Sequence, residues 1–244
     1  MSDTKRRSVD AMRLRSAVAI LLLVWTVSLW LPGASTAWAG TIQGTVKLAG
    51  AAGEQKMLAV TVDHSVCGKE KDAEEVVLSP GRGIRNVVVS LQTPPPDATW
   101  KAPLPPVQMG QRQCVFIPRV IIVPVGGTVE FLNDDRLLHN LRTRNTANPA
   151  FNRTQPKGRT IPIAFSKPEI IKVECDLHPW MRAWVVVAEH PFYALTNDQG
   201  EFVLGNVPPG KYSLQFWQEV LGNVTSDVTV GDGTSTVTVE LTRK

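Results

Sequence analysis

Histidine is scarce in this chain. Only His64, His139, His178 and His190 occur among its 244 residues. Four imidazoles are too few for a trinuclear metal cluster. No His-x-x-Glu sequence occurs either, so the zinc motif of a metallopeptidase is missing. Stretches rich in methionine or histidine, which labile metal handling relies on, are absent as well. Sustained helical periodicity is also lacking. After Gly40 no segment repeats its apolar residues every 3.6 positions, whereas short alternating runs bounded by Gly, Pro and Asn recur, as at 41–48, 86–91, 201–204, 211–216 and 235–241. The expected fold class is therefore all-β. Asn197-Asp-Gln-Gly200 supplies an Asx-type turn with a glycine, and Pro208-Pro-Gly210 a tight reversal.

A lasting excess of charge is missing too. The formal charge is +4, but residues 1–39 hold five basic and two acidic side chains, which leaves +1 for the remainder. A nearly neutral chain offers no basis for nucleic-acid binding and no strong steering of a charged partner. The basic residues Lys5, Arg6, Arg7, Arg13 and Arg15 precede an apolar run over 17–31, and Ala37-Trp-Ala39 follows. This pattern predicts a secretory signal peptide, residues 1–39, cleaved after Ala39. The competing reading is a retained anchor, but the apolar run is shorter than the ~20 residues of a spanning helix and Pro32-Gly33 ends it. The expected location is the periplasm or outside the cell, with no membrane span after cleavage.

Against these absences stands one dense motif, Cys175-Asp-Leu-His-Pro-Trp-Met-Arg-Ala-Trp-Val185. It sets a thiolate, an imidazole and a thioether at i, i+3 and i+6. Upstream, Asn133-Asp-Asp-Arg-Leu-Leu-His-Asn140 supplies a second imidazole, His139. Two His, one Cys and a distal Met form the donor set of a blue-copper electron-transfer site, because thiolate and thioether suit Cu(I) while imidazole suits both oxidation states. Structural zinc prefers four strong N or S ligands, and methionine is unusual among them. A dinuclear copper centre needs a second cysteine in the loop, which is not there. Alternation in 171–175 puts Ile171, Val173 and Cys175 on one strand face and Lys172 and Glu174 on the other, so the thiolate starts from the buried side.

The loop resembles that of the cupredoxins, and within them the amicyanins, which share the Cys-x-x-His-x-x-Met spacing with a proline and an aromatic residue between His and Met. Residues 123–133, Val-Pro-Val-Gly-Gly-Thr-Val-Glu-Phe-Leu-Asn, are similar to the cupredoxin hairpin leading to the first histidine. The resemblance spans residues 112–188. It implies a Greek-key β-sandwich holding one type 1 copper ion, with His139, Cys175 and His178 as ligands and Met181 as the weak axial donor. It also implies that Asn140 ties the two ligand loops together, the alternative being a plain turn asparagine. His178 is then the ligand nearest solvent, and Leu177, Pro179 and Trp180 form an apolar rim for docking a redox partner. For Trp180, packing against the end of the sandwich is the alternative. His190 lies outside the motif and is expected to be structural or exposed.

With Cys175 assigned to the metal, Cys67 and Cys114 remain in a chain that reaches an oxidising compartment, and a Cys67–Cys114 disulfide is expected. Such a loop closure is worth on the order of 4 kcal/mol in the chain-entropy model. A second metal site built on His64 and Cys67 is the lesser alternative.

The flanks resemble a second family, the carboxypeptidase regulatory-like (transthyretin-like) β-sandwich. The carriers are Ile42-x-Gly-x-Val46, Thr196-Asn-Asp-Gln-Gly-Glu-Phe202 and Asn206-Val-Pro-Pro-Gly-Lys-Tyr-Ser-Leu214, with Asn197 where that family more often has Asp. This implies a cupredoxin sandwich, 112–188, inserted in a transthyretin-like sandwich made of 40–98 and 189–244, with a Pro-rich linker over 99–111. The combination resembles bacterial exported proteins carrying both modules. The function expected is periplasmic one-electron transfer by a protein that is not an enzyme, since four ligands leave a copper ion no place for substrate. Its partner by analogy is a c-type cytochrome or a quinoprotein dehydrogenase. The alternatives are non-redox copper handling, or a scaffold whose regulatory-like sandwich recognises a partner.

Overall fold

The computed structural model describes residues 39–101 and 104–243, so the expected signal segment lies almost wholly outside the described residues. The chain opens with β1 (Gly40–Leu48), β2 (Met57–Ala59), a single helical turn α1 (His64–Cys67), β3 (Glu70–Asp72) and β4 (Val88–Leu91). Nine strands follow: β5 (Val107–Arg112), β6 (Val115–Ile117), β7 (Val120–Pro124), β8 (Thr128–Asn133), β9 (His139–Thr143), β10 (Asn152–Gln155), β11 (Thr160–Ala164), β12 (Glu169–Glu174) and β13 (Arg182–Ala188). The last five are β14 (Tyr193–Leu195), β15 (Glu201–Val207), β16 (Gly210–Gln218), β17 (Gly222–Val230) and β18 (Thr234–Leu241). The fold is all-β. Among the described residues no helix is long and apolar enough to cross a membrane.

Pairing sorts these strands into one sandwich inserted in another. In the outer sandwich β1 lies between β15 and β18, and a second sheet runs β14-β4-β16-β17. Alternation in β1 turns Ile42, Val46 and Leu48 inward, where they meet Leu91, Leu204, Leu214 and Phe216. The chain leaves after β4, builds the inner sandwich from β5 to β13, and returns at β14. The inner sheets run β10-β9-β12-β13-β7 and β11-β8-β5-β6, around Met109, Phe131, Leu141, Ile171, Val173 and Val185.

The two sandwiches share a seam. Val88 of the outer sandwich packs with Val120 and Val186 of the inner one, and Trp184 and Trp217 meet edge to face at 5.1 Å. At the seam the Arg119 guanidinium donates to Glu219 at 2.6 Å, each side chain only 8% exposed, and the Trp184 indole donates to the same carboxylate at 2.9 Å.

One expected boundary needs correction. The Pro-rich linker expected over 99–111 stops earlier, because residues from Val107 onward pair in parallel with β8 and bury Met109 and Gln111 completely. The proline content of 103–106 drew that boundary too far along the chain. The polar stretch 145–160 contains the edge strand β10, hydrogen-bonded to β9 from Asn152↔Arg142 to Gln155↔His139. Its residues are polar on both faces, so no alternation betrays it.

Candidate metal centre

Three elements converge at one end of the inner core. His139 opens β9, Cys175 follows β12, and His178 sits in the turn that closes when the Met181 N–H bonds the His178 carbonyl at 2.9 Å. Because β12 pairs with β9 through Val173↔Thr143 and Glu174↔Arg142, the end of β12 delivers Cys175 beside the start of β9. Ile171, Val173 and Cys175 all face the core, as the alternation requires.

The donor atoms are close. His139 Nδ1 and His178 Nδ1 are 2.9 Å apart, and Cys175 Sγ lies 3.5 Å from His178 Nδ1 and 3.9 Å from His139 Nδ1. Both imidazoles are fully buried and Cys175 is 2% exposed. The far nitrogen of each ring meets a carboxylate. His139 Nε2 is 2.8 Å from Asp135 Oδ2, and His178 Nε2 is 3.0 Å from Asp63 Oδ2. With both Nε2 atoms donating, two Nδ1 lone pairs and a sulfur point at one small space. That arrangement is repulsive unless a cation, a proton or a metal ion, sits among them.

The thiol responds accordingly. Burial pushes Cys175 up, but the two imidazoles facing the sulfur, which stabilise a thiolate once Nδ1 carries a proton, and the backbone N–H groups of Asn140 and His178 outweigh it and bring it down to about 6. His178 moves the other way. Burial acts to lower it, yet the Cys175 sulfur and then the Asp63 carboxylate raise it above the ordinary histidine range. Donors spaced 2.9 to 3.9 Å apart lie within reach of one ion bonding nitrogen and sulfur at about 2.0–2.3 Å. The residues present therefore fit a soft or borderline metal ion.

Asn140 links the two ligand loops. Its Oδ1 accepts the Asp176 N–H at 2.6 Å, its Nδ2 reaches Asp176 Oδ2 at 3.3 Å, and its own N–H points at Cys175 Sγ at 3.5 Å. Arg142 holds the other Asp176 oxygen at 2.6 Å. Met181 is 1% exposed in the same core as Cys175.

The solvent side differs from what the resemblance implies. His178 is fully buried, as is His139, and does not itself reach the surface. Trp180 does not join an exposed rim, being 7% exposed with its indole N–H bonded to the Cys114 carbonyl at 3.1 Å. Leu177 (46% exposed) and Pro179 remain at the surface. The physical reason is a cover. The segment β2-α1-β3, which belongs by sequence to the outer sandwich, lies on the inner core, with Val60 and Cys67 buried there and Leu58 and Val66 packed against it. The Cys67–Cys114 disulfide fastens it. With Cys67 so engaged and His64 exposed, the alternative metal site on those two residues is ruled out. His190 is buried outside the site, accepting the Phe192 N–H at 3.3 Å.

Comparison with known proteins finds no matching family model and no matching curated protein. Solved structures do match in part. A Cu-containing nitrite reductase from Thermus scotoductus SA-01 is 27% identical with a TM-score of 0.33, over 40% of this chain and 25% of that one. A purple cupredoxin from Nitrosopumilus maritimus is 24% identical with a TM-score of 0.30, over 34% of this chain and 99% of that one. Amicyanin from Paracoccus versutus is 22% identical with a TM-score of 0.32, over 41% of this chain and 97% of that one. The chain thus spans a quarter of the nitrite reductase's length and almost all of the other two.

Sequence reasoning missed both carboxylates. Asp135 accepts the backbone N–H groups of Gln113 and Cys114 at 2.5 and 2.8 Å besides holding His139. Gln113 and Cys114 both have positive φ, 51° and 57°, in the two-residue turn joining β5 to β6. Such a turn prefers Asn-Gly, so Asp135 and the disulfide hold a backbone that its own residues disfavour. The signal for Asp63 was indirect. It lies four positions before Cys67, and pairing Cys67 with Cys114 already brings that stretch to the inner sandwich.

Proposed function

We propose that the inner sandwich is a cupredoxin that would hold one copper ion through His139, Cys175 and His178, with Met181 as a weaker fourth donor, and that it serves in one-electron transfer. The observation that carries this reading is the convergence of two imidazole Nδ1 atoms and the Cys175 sulfur on one buried space. Copper bound there would supply a Cu(II)/Cu(I) couple, with thiolate and thioether favouring Cu(I). The chain's own residues provide the rest. Asp135 and Asp63 fix ring orientation and leave Nδ1 free to ligate, Asn140 steadies the thiolate, and the apolar core keeps the donors in place between oxidation states.

The burial of all three donors supports a carrier rather than an enzyme, because an ion held by them would be shielded from a substrate. The disulfide suits an exported, periplasmic protein. The partner proposed is another redox protein, a c-type cytochrome or a quinoprotein dehydrogenase. The outer sandwich is proposed to be a carboxypeptidase regulatory-like module serving as mount and cover. Titration of the protein with Cu(II), followed by visible and EPR spectra, tests the reading. An intense thiolate-to-copper band that saturates at one equivalent, bleaches reversibly with a reductant and is absent in Cys175→Ala is the result expected. A folded protein that stays colourless would overturn it.

A further inference from the structure

Asp63 is an odd residue for its place in the chain. It stands at the N-terminus of α1, where an aspartate ordinarily turns its carboxylate onto the first free N–H groups of the helix. Here the side chain makes no capping bond, and the Val66 and Cys67 N–H groups take the Asp63 backbone carbonyl at 3.0 and 2.9 Å instead. The residue adopts the left-handed conformation, φ 53° and ψ 36°, which costs a non-glycine residue strain. The freed carboxylate reaches 115 residues along the chain to His178 Nε2 at 3.0 Å. The bridge from Cys67 to Cys114 anchors this turn from the other side, and both its sulfurs lie within 4.8 Å of a His178 ring nitrogen. A local bond has been given up and a strained backbone accepted, and what the residue gains is a hold on one imidazole.

We infer that Asp63 is a positioning residue for the metal centre, fixing His178 with its Nε2–H outward and Nδ1 toward the metal, and that the Cys67–Cys114 bridge is the latch that keeps Asp63 there. The inference rests on the proposed copper site and deepens it. A segment that precedes the inner sandwich in sequence then contributes to its centre, and His178 is held and covered rather than presented at the surface. A carboxylate on the outer nitrogen of a metal-bound histidine fixes ring orientation, and its loss typically costs 10–100-fold in metal affinity.

The test has a metal-free arm and a copper arm, both on the full chain lacking residues 1–39. In the metal-free arm, 15N NMR of the histidine rings reads the His178 Nε2–H directly, and hydrogen exchange reads the amides of 57–72. The wild type is expected to show a protected Nε2–H signal. Asp63→Ala should lose it and Asp63→Glu should restore it in part, while Cys67→Ser/Cys114→Ser should lose it together with faster exchange over 57–72. In the copper arm, transfer of copper to a chromophoric chelator should quicken by about tenfold or more in Asp63→Ala and in the serine pair, and stay near wild type in Asp63→Glu. An unchanged His178 signal and unchanged copper transfer in Asp63→Ala would overturn the inference. Should the serine pair fail to fold, Asp63→Ala decides the positioning role, and hydrogen exchange of wild type with its disulfide chemically reduced decides the latch. Failure of the wild type to take up copper would instead sink the proposed function, with the ring signal still deciding whether Asp63 holds His178.

Discussion

In the outer sandwich the buried polar side chains fasten the neighbouring chain. Thr196 Oγ1 accepts the Val87 N–H at 2.9 Å and donates to the Ile84 carbonyl at 2.6 Å, and Gln218 Oε1 takes the N–H groups of Val220 and Leu221 at 2.8 and 2.9 Å. The inner sandwich has such groups too, Asn133 and Asn148 among them, but at one end of its core the buried polar side chains face one another. His139, His178 and Cys175 meet across the core end, backed by Asp135, Asp63 and Asn140. The first pattern satisfies every group it uses and needs nothing more. The second leaves lone pairs opposed unless a cation separates them. Burial of polar groups therefore does not mark a functional centre by itself; their convergence without mutual satisfaction does.

The contrast can be broken in four ways. Phe131 and Phe216 are both fully buried, one in each core, so Phe131→Ala and Phe216→Ala should each cost about 3–5 kcal/mol in denaturant unfolding. Only Phe131→Ala should also disturb the copper spectrum; an equal disturbance from Phe216→Ala would erase the distinction between the two cores. At the seam, Glu219→Ala strands the Arg119 guanidinium with only Glu74 at 3.9 Å in reach, and a loss of about 3 kcal/mol with an unaltered spectrum is expected.

Asn140→Ala removes the bond to the Asp176 N–H, for about 1 kcal/mol. Its larger signature should be spectral, because the backbone N–H that faces the Cys175 sulfur stays but the side-chain bonds to Asp176 that fix the two loops are lost, and a wild-type band would contradict the loop-tying role.

The smallest effect concerns Glu169. Burial would raise its carboxyl pKa, but N–H groups of Thr146, Asn148 and Ala147 bring it down to about 2 from an ordinary 4.5. A carboxyl depressed on folding stabilises the native state fully above 4.5 and loses that contribution as pH falls from 4.5 toward 2. Glu169→Gln should flatten the stability-versus-pH curve in that window, which unfolding titrations at several acid pH values would read.

What the sequence disclosed was local. Cys175, His178 and Met181 lie within seven residues, and their spacing alone names a donor set. The turn at Asn197 was legible for the same reason. Its Oδ1 accepts the Gln199 and Glu201 N–H groups at 2.9 Å, and Gly200 takes φ 77°. The Cys67–Cys114 bridge followed from counting once Cys175 was set aside. What stayed hidden depended on distant pairing. Parallel pairing with β8 made a strand of 107–112 that composition read as linker. Asp135 was lost in the polar run Asn133-Asp-Asp-Arg136, where nothing singles out one acid from its neighbour. The burial of His178 and Trp180 was invisible because the cover comes from a segment more than a hundred residues earlier in the chain, and the resemblance of the ligand loop implied an exposed rim.

The most direct test of the account is X-ray absorption at the copper edge of the loaded protein. One short sulfur and two imidazole nitrogens, with the short sulfur gone in Cys175→Ala, is the result predicted. A copper ion surrounded by nitrogen and oxygen alone, unchanged by that substitution, would contradict the claim that His139, Cys175 and His178 form its site.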